Sequence, residues 1–530
     1  MFRTQALILI LSLLALFLTE SATASAPMRS SSPVAVAWTQ GDVEILKEFK
    51  KYFRKYKDPI QRVEAVMALE DVEDPKVVRV LVKLIRDKDG SVRQTAINVL
   101  ATFGTRAPID ELLRMLAEEK QSELRTGMLQ ALELGRYHHD GVATSECLVD
   151  KDWRVRRAAL KVLGNLKNAA LVPIMVPLAV DSESGVRTAC LDSLAMMGAK
   201  EVLPLAQAAL IDEVWQVRSS AIQALGKVRD LSSMPLLITR MELEEGRLIV
   251  DLSSALDQLT GRGPIKNPAT WRSFWEAYGG RYKLPSDSEV TEMIAKREAN
   301  AAAYKVKQGT SYHGVDTPSR SILFVIDVSG SMEDEVTERD RFKDGNYPSY
   351  SRMDITKTEL ARTIAGLESY VKFNILSFAT DVKPWKKGLV SANVLNKSSA
   401  ETWIKALEPI GGNSKQELAA VGFGATAAIG KGKTNTWGAL ATALSIPMDP
   451  SAKAPKKDPY RVDVDTVFFL SDGRPTTGYF VKTEAILMGI LEANELRKVV
   501  IHTIAIGEFD KQFMQRLAKG TGGVFVDLGR

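Results

Sequence analysis

The chain has 530 residues, 45% of them hydrophobic and 25% charged, with a net charge of only +5. That supports two or three separately cored domains. Lys and Arg are spread rather than clustered, so nucleic acid is not implied. Two cysteines, Cys147 and Cys190, do not make a disulfide scaffold; they read as buried helical thiols, with a single bridge as the alternative.

The chain opens with Met1-Phe2-Arg3, an apolar run from Ala6 to Leu18 broken only by Ser12, and the small-x-small site Ala22-Thr23-Ala24. This is the pattern of a secretory signal peptide, residues 1–24. The run is short for a bilayer span, which leaves an uncleaved anchor as the lesser alternative. No other membrane span is expected, so the mature chain is expected to be secreted or periplasmic. Residues 25–40 are rich in Ser, Pro and Ala and are expected to form a disordered tail.

From 41 to 262 the sequence repeats. Val92-Arg93-Gln94-Thr95-Ala96, Val155-Arg156-Arg157-Ala158-Ala159, Val186-Arg187-Thr188-Ala189-Cys190 and Val217-Arg218-Ser219-Ser220-Ala221 are the clearest copies. With weaker copies the starts fall at 61, 92, 124, 155, 186, 217 and 248, spaced 31 or 32 apart. Eight residues into each copy stand Leu69, Leu100, Leu132, Leu163, Leu194, Leu225 and Leu256. Offsets of 0, 4 and 8 share one helical face, and this period predicts an α-solenoid of helix pairs. The pattern resembles short HEAT repeats. Asp89 and Asp152, just before two copies, suit helix N-termini. Arg93, Arg125, Arg156, Arg187 and Arg218 share one position, and the resemblance implies that this Arg bridges to an acid of the next unit; the alternative is a basic ligand surface. Ile249 replaces it in the seventh copy, as a capping end would allow. His138-His139 reads as an exposed loop rather than a metal site.

Residues 263–318 join the repeats to the rest. Trp271, Phe274, Trp275 and Tyr278 recur at helical spacing and are expected to cap the solenoid's end. Residues 287–308 read as a linker helix and 309–318 as a loop.

From 319 to 530 the pattern changes. The apolar run Ile322–Ile326 fits a strand buried on both faces, as in a parallel sheet. It ends in Asp327-Val328-Ser329-Gly330-Ser331, at the strand end where ligands bind in such sheets. A second apolar run, Val467 to Leu470, ends in Ser471-Asp472, and Thr434 sits where a polar turn enters an apolar helix. One carboxylate and two hydroxyls on a tight turn offer hard oxygens to a small divalent cation. Further strands are expected at 371–378, 499–506 and 523–526, and helices at 353–370, 400–407, 437–446, 482–497 and 509–519, alternating as in a doubly wound, Rossmann-like α/β fold. A polar insertion, 333–352, follows the Asp327 loop. Residues 411–432 are rich in small side chains and carry no clear pattern.

The set Asp327-x-Ser329-x-Ser331, Thr434 and Asp472 resembles the metal-ion-dependent adhesion site of von Willebrand factor type A domains. That resemblance implies that these five residues hold Mg²⁺, with Mn²⁺ able to substitute, some directly and some through water. It also implies an open coordination position for an Asp or Glu of a protein partner. Asp334 and Glu335 fall where integrin beta chains hold a second ion, but acids after such a loop are often simply solvated.

Gly432-Lys433-Thr434 suggests a phosphate-binding loop, but the first Gly that the pattern needs is Ala427, and in the shifted register Ala425, so no nucleotide is expected. Gly-x-Ser-x-Gly and His-Glu-x-x-His are both missing. The expectation is therefore a non-enzymatic, extracytoplasmic adhesion or scaffold protein of several domains, α-solenoid then α/β, with the solenoid as a second docking surface. The alternatives are a scaffold whose metal only stabilises the fold and, less favoured, a metal-dependent hydrolase.

Overall fold

The computed structural model describes residues 40–301, 310–410, 432–449, 462–507 and 509–528. The expected signal peptide, nearly all of the expected tail and the stretch 411–431 lie outside the described residues. The chain divides into two compact units, Met1–Glu213 and Val214–Arg530. The helical repeats occupy the first and continue into the second.

In the first unit the repeat motif lies on helices Gly90–Leu100, Ser122–Gly135, Trp153–Leu166 and Ser184–Met197. In the second it lies on Trp215–Val228 and Arg247–Thr260. The leucines at offset eight, Leu69 to Leu256, are all buried, as are Ala96, Met128, Ala159, Cys190, Ala221 and Leu252 at offset four. Each large side chain so buried contributes about 1.5–3 kcal/mol. Asp89 caps its helix by accepting from the Ser91 and Val92 N–H groups (2.9 and 3.2 Å), and Asp152 accepts from Arg154 N–H at 3.0 Å.

The repeated arginines form a ladder of ion pairs with acids 25 or 26 residues downstream. Arg125 meets Asp150 at 2.6 Å, Arg156 meets Asp181 at 2.7 Å, Arg187 meets Asp212 at 2.8 Å and Arg218 meets Glu244 at 2.6 Å. Arg62 and Asp87 make the same pair in the first copy. Arg156 and Arg187 also donate to the Asp150 and Asp181 carbonyls, each at 2.9 Å. Arg93 departs, donating instead to the Asp87 carbonyl at 2.6 Å. Cys147 and Cys190 are buried free thiols. In the second unit, helix Pro268–Tyr278 packs on Ser233–Leu243, where Arg272 pairs with Glu242 at 2.6 Å; its Trp271 is buried and donates from the indole to the Ile265 carbonyl at 2.9 Å, while Tyr278 is exposed.

The expected loop at 309–318 holds a β-hairpin. β1 (Thr310–Tyr312) and β2 (Val315–Thr317) pair antiparallel and turn at His313 and Gly314, both at positive φ (48° and 79°). Beyond it run β3 (Ser321–Asp327), β4 (Lys372–Phe378), β5 (Val382–Pro384), β6 (Val390–Ser391), β7 (Thr466–Ser471), β8 (Val500–Ala505) and β9 (Phe525–Asp527). Among the described residues these make one sheet in the order β5-β4-β3-β7-β8-β9, with β6 also on β4. β3, β4, β7, β8 and β9 are parallel; β5 and β6 lie antiparallel against β4.

Alternation along β3 explains why the sheet is covered on both faces. Ile322, Phe324 and Ile326 join the core beneath α1 (Arg352–Ala365) and α2 (Val394–Lys405). Leu323 and Val325 join the opposite core, under α3 (Thr436–Ala443), α4 (Thr483–Arg497) and α5 (Lys511–Gly520). This is a doubly wound α/β layer. From β3 the chain first adds β4 on one side, then returns to add β7 and β8 on the other. The strand order reverses between β3 and β7, and a crevice outside the carboxyl ends of such strands is where open sheets bind ligands.

Candidate metal centre

Parallel pairing of Ile326 with Leu470 brings the ends of β3 and β7 together, so Asp327 and Asp472, far apart in sequence, meet at the reversal point. Asp327 is fully buried. Its Oδ1 accepts from Ser329 N–H at 2.8 Å and its Oδ2 from the Ser471 hydroxyl at 2.7 Å. The Ser329 and Ser331 hydroxyls lie 3.3 Å apart, and Ser331 donates to Asp472 Oδ1 at 2.9 Å. A Cβ on Gly473 would stand 3.6 Å from the Thr434 hydroxyl and 3.7 Å from that of Ser331, so Thr434 borders the same space. All five expected residues are thus brought together. Asp327, Ser329, Thr434 and Asp472 are buried, while Ser331 is half-buried at the rim.

The backbone holds this cluster from several sides. Val328 N–H donates to the Phe378 carbonyl and Ile410 N–H to the Val328 carbonyl, both at 2.8 Å. Gly330 N–H donates to the Gly432 carbonyl at 3.3 Å. Thr434 N–H donates to the Thr476 hydroxyl at 2.8 Å, and its carbonyl accepts from Thr476 N–H at 3.0 Å. Asn435 caps α3 through Gly438 N–H at 2.9 Å, which fixes where Thr434 enters the crevice.

The sequence reading missed Ser471 and Arg352. Ser471 closes β7 as a buried hydroxyl on Asp327. Arg352, at the first position of α1, donates from Nη1 to Asp472 Oδ2 at 3.0 Å and to the Ser331 carbonyl at 3.2 Å. One signal for Arg352 existed: a cation at a helix N-terminus opposes the helix dipole, so a residue there calls for an anionic partner.

Electrostatically the cluster is short of positive charge. Burial, and then the neighbouring Asp472 carboxylate, push the Asp327 carboxyl well above the ordinary range. Burial also raises Asp472, against the opposing hydrogen bonds from Arg352 and Ser331. Among the described residues no cationic side chain reaches Asp327. Two carboxylates and three hydroxyls around one crevice form an all-oxygen donor set, which fits Mg²⁺. Among the described residues no group of three or more His, Cys, Asp or Glu that could hold a metal ion is found; the donors in this crevice are two carboxylates and three hydroxyls.

Residues 46–133 and 143–226 match the family of HEAT repeats, and residues 349–527 match the von Willebrand factor type A domain. The chain is a run of HEAT repeats followed by a von Willebrand factor type A domain. The match to the latter begins beyond Ser331, so the Asp327 loop enters the site on geometry. Inter-alpha-trypsin inhibitor heavy chain H6 of Homo sapiens is 25% identical over 213 residues, covering 40% of this chain and 13% of that protein. Heavy chain H2 of Sus scrofa is 24% identical over 255 residues, covering 46% of this chain and 23% of that protein. This chain therefore spans under a quarter of either relative. A solved structure of an aerotolerance-related membrane protein from Bacteroides fragilis is 14% identical, with a TM-score of 0.24, covering 39% of this chain and 90% of that one. No helix among the described residues is long and apolar enough to cross a membrane.

Proposed function

We propose that this protein binds a protein partner through a divalent cation held in its von Willebrand factor type A domain. Asp327, Ser329, Ser331, Thr434 and Asp472 hold Mg²⁺, with Mn²⁺ able to take its place. When bound, the ion supplies a localised positive charge and an open position for a carboxylate of the partner's Asp or Glu. The HEAT solenoid is a second docking surface, the use such solenoids commonly serve. The expected signal peptide, residues 1–24, makes this an extracytoplasmic binding role, and the role is not enzymatic.

The observation that carries this reading is Asp327: a fully buried carboxylate beside a second carboxylate, with no cationic side chain on it among the described residues. A buried charge without a counter-charge is costly, and a divalent cation between the two acids removes that cost. The histidines support a binding rather than a hydrolytic role. His502 lies inside β8, His313 in the hairpin turn and His138 and His139 in a solenoid loop, so none is placed as a base at the crevice.

Calorimetric titration of Mg²⁺ into the chelator-stripped full chain tests the reading. Saturable binding is expected, lost in Asp327→Ala. No binding, or equal binding by the variant, would overturn it and leave the solenoid as the working surface.

A further inference from the structure

Arg352 has a place in the metal centre that the five ligand candidates do not explain. Its side chain is 10% exposed, its Nη1 lies 3.0 Å from Asp472 Oδ2 and 3.9 Å from Asp334 Oδ2, and its backbone N–H donates to the Asp334 carbonyl at 3.0 Å. Gly507, at φ +106°, makes room for it: a Cβ there would stand 2.6 Å from the guanidinium carbon. Its guanidinium donates to Asp472 and to the Ser331 carbonyl and lies against Gly507. Lys433 and Arg474, the cations nearest in sequence, are exposed and therefore screened.

The charges decide what this arginine does. With both aspartates ionised, a site without Arg352 would carry two negative charges, and a divalent ion would make it neutral. With Arg352 the empty site carries one negative charge, and the loaded site one positive charge. A single carboxylate neutralises that positive charge. We propose that Arg352 sets the site's demand for an anion: it weakens the hold on the metal and, in exchange, makes the loaded site electropositive toward one acidic side chain. This inference rests on the metal-binding reading above and adds how that site selects its ligand. Asp334, exposed and next to Arg352, acts in the opposite sense and more weakly.

The test uses the full chain, Mg²⁺ calorimetry, and ligand-observed NMR titration of a Gly-Asp-Gly peptide onto the Mg²⁺-saturated protein. A unit charge within several Å of another in a partly wet site changes affinity by roughly tenfold or more. Arg352→Gln keeps a donor to Asp472 but removes the charge. It is expected to bind Mg²⁺ roughly tenfold more tightly and, when loaded, the peptide roughly tenfold more weakly. Arg352→Lys is expected to restore both parent values. Asp334→Asn is expected to show the mirror image, with Mg²⁺ roughly two- to threefold weaker and the peptide tighter by a similar factor. If both affinities fall together in Arg352→Gln, or neither changes, or Lys does not restore them, Arg352 is only a prop for Asp472 and the inference fails. Should circular dichroism show Arg352→Gln unfolded, Asp334→Asn decides alone, and unchanged or same-direction shifts overturn the inference. A parent chain that binds no Mg²⁺ at all brings down the metal reading, and this inference with it.

Discussion

Arg156→Ala tests whether the arginine ladder holds the solenoid together or merely decorates it. Arg156 donates from Nε and Nη2 to the two Asp181 oxygens at 2.8 and 2.7 Å, and from Nη1 to the Asp150 carbonyl at 2.9 Å. Its side chain is 13% exposed and that of Asp181 is 12% exposed. Charge-assisted hydrogen bonds contribute about 1.5–3 kcal/mol each, but desolvation of both groups offsets much of that. Truncation is different, because Asp181 stays largely buried without its cation, and such a break costs about 3 kcal/mol. Arg106, paired with Asp110 at 3.2 Å but with a side chain 90% exposed, is the control; its truncation should cost under about 0.5 kcal/mol. Urea denaturation followed by circular dichroism measures both. The double variant Arg156→Ala/Asp181→Ala should cost less than the two single costs combined, since it removes both charges. If Arg156→Ala costs no more than Arg106→Ala, the ladder is not structural and the repeated arginines become candidates for a ligand surface.

Two further predictions concern buried titratable groups. His502 stacks on Phe468 at 5.0 Å, accepts from Val524 N–H at 3.0 Å through Nδ1, and burial holds its pKa down to about 4 instead of 6.5. Between those values the unfolded chain binds a proton that the folded chain refuses. Its contribution is therefore fully present above pH 6.5 and is lost as pH falls through 4, up to roughly 3 kcal/mol. Unfolding free energy measured from pH 7 to 4 should fall less steeply in His502→Asn; an unchanged slope would refute the assignment. His313, held equally low by burial, keeps part of the slope in that variant. Burial pushes the Cys147 thiol up to about 11 and Cys190 higher still. Both should resist a disulfide-exchange reagent in the native chain at pH 8 and react in urea, and fast native labelling of either would contradict their packing.

Much of this was legible because the signals were local. The Ile322–Ile326 run and the Val467–Leu470 run are apolar without alternation, which suits strands covered on both faces, and each ends in the acid that marks the crevice. The repeat leucines and arginines announced themselves by period. The expected helix at 353–370 stops at Ala365, before Gly366, and the one expected from 400 begins at Val394, where the Asn393 side chain caps it by accepting from Asn396 N–H at 2.9 Å. The hairpin at 310–317 was missed because each strand is three residues long, although the His313-Gly314 pair is the kind of turn that closes a two-residue hairpin. β5 and β6 were missed because Lys383, Pro384 and Lys386 interrupt the apolar pattern, as they commonly do on an edge strand. Arg352 and Ser471 could not be assigned to the site by spacing. Arg352 meets Asp472 across 120 residues and Ser471 meets Asp327 across 144; the second contact comes from the pairing of β3 with β7, the first from where α1 begins beside the same crevice.

Anomalous X-ray scattering from crystals of the full chain soaked in Mn²⁺ tests the central claim most directly, because it locates the ion without assuming its ligands. The account predicts one strong peak in the crevice at the ends of β3 and β7, with oxygens from Asp327, Ser329, Ser331, Thr434 and Asp472 around it, the direct ones at about 2.0–2.2 Å, and no such peak in Asp327→Ala. A Mn²⁺ peak on other residues, or a crevice that stays without one while the ion is present in excess, would contradict it.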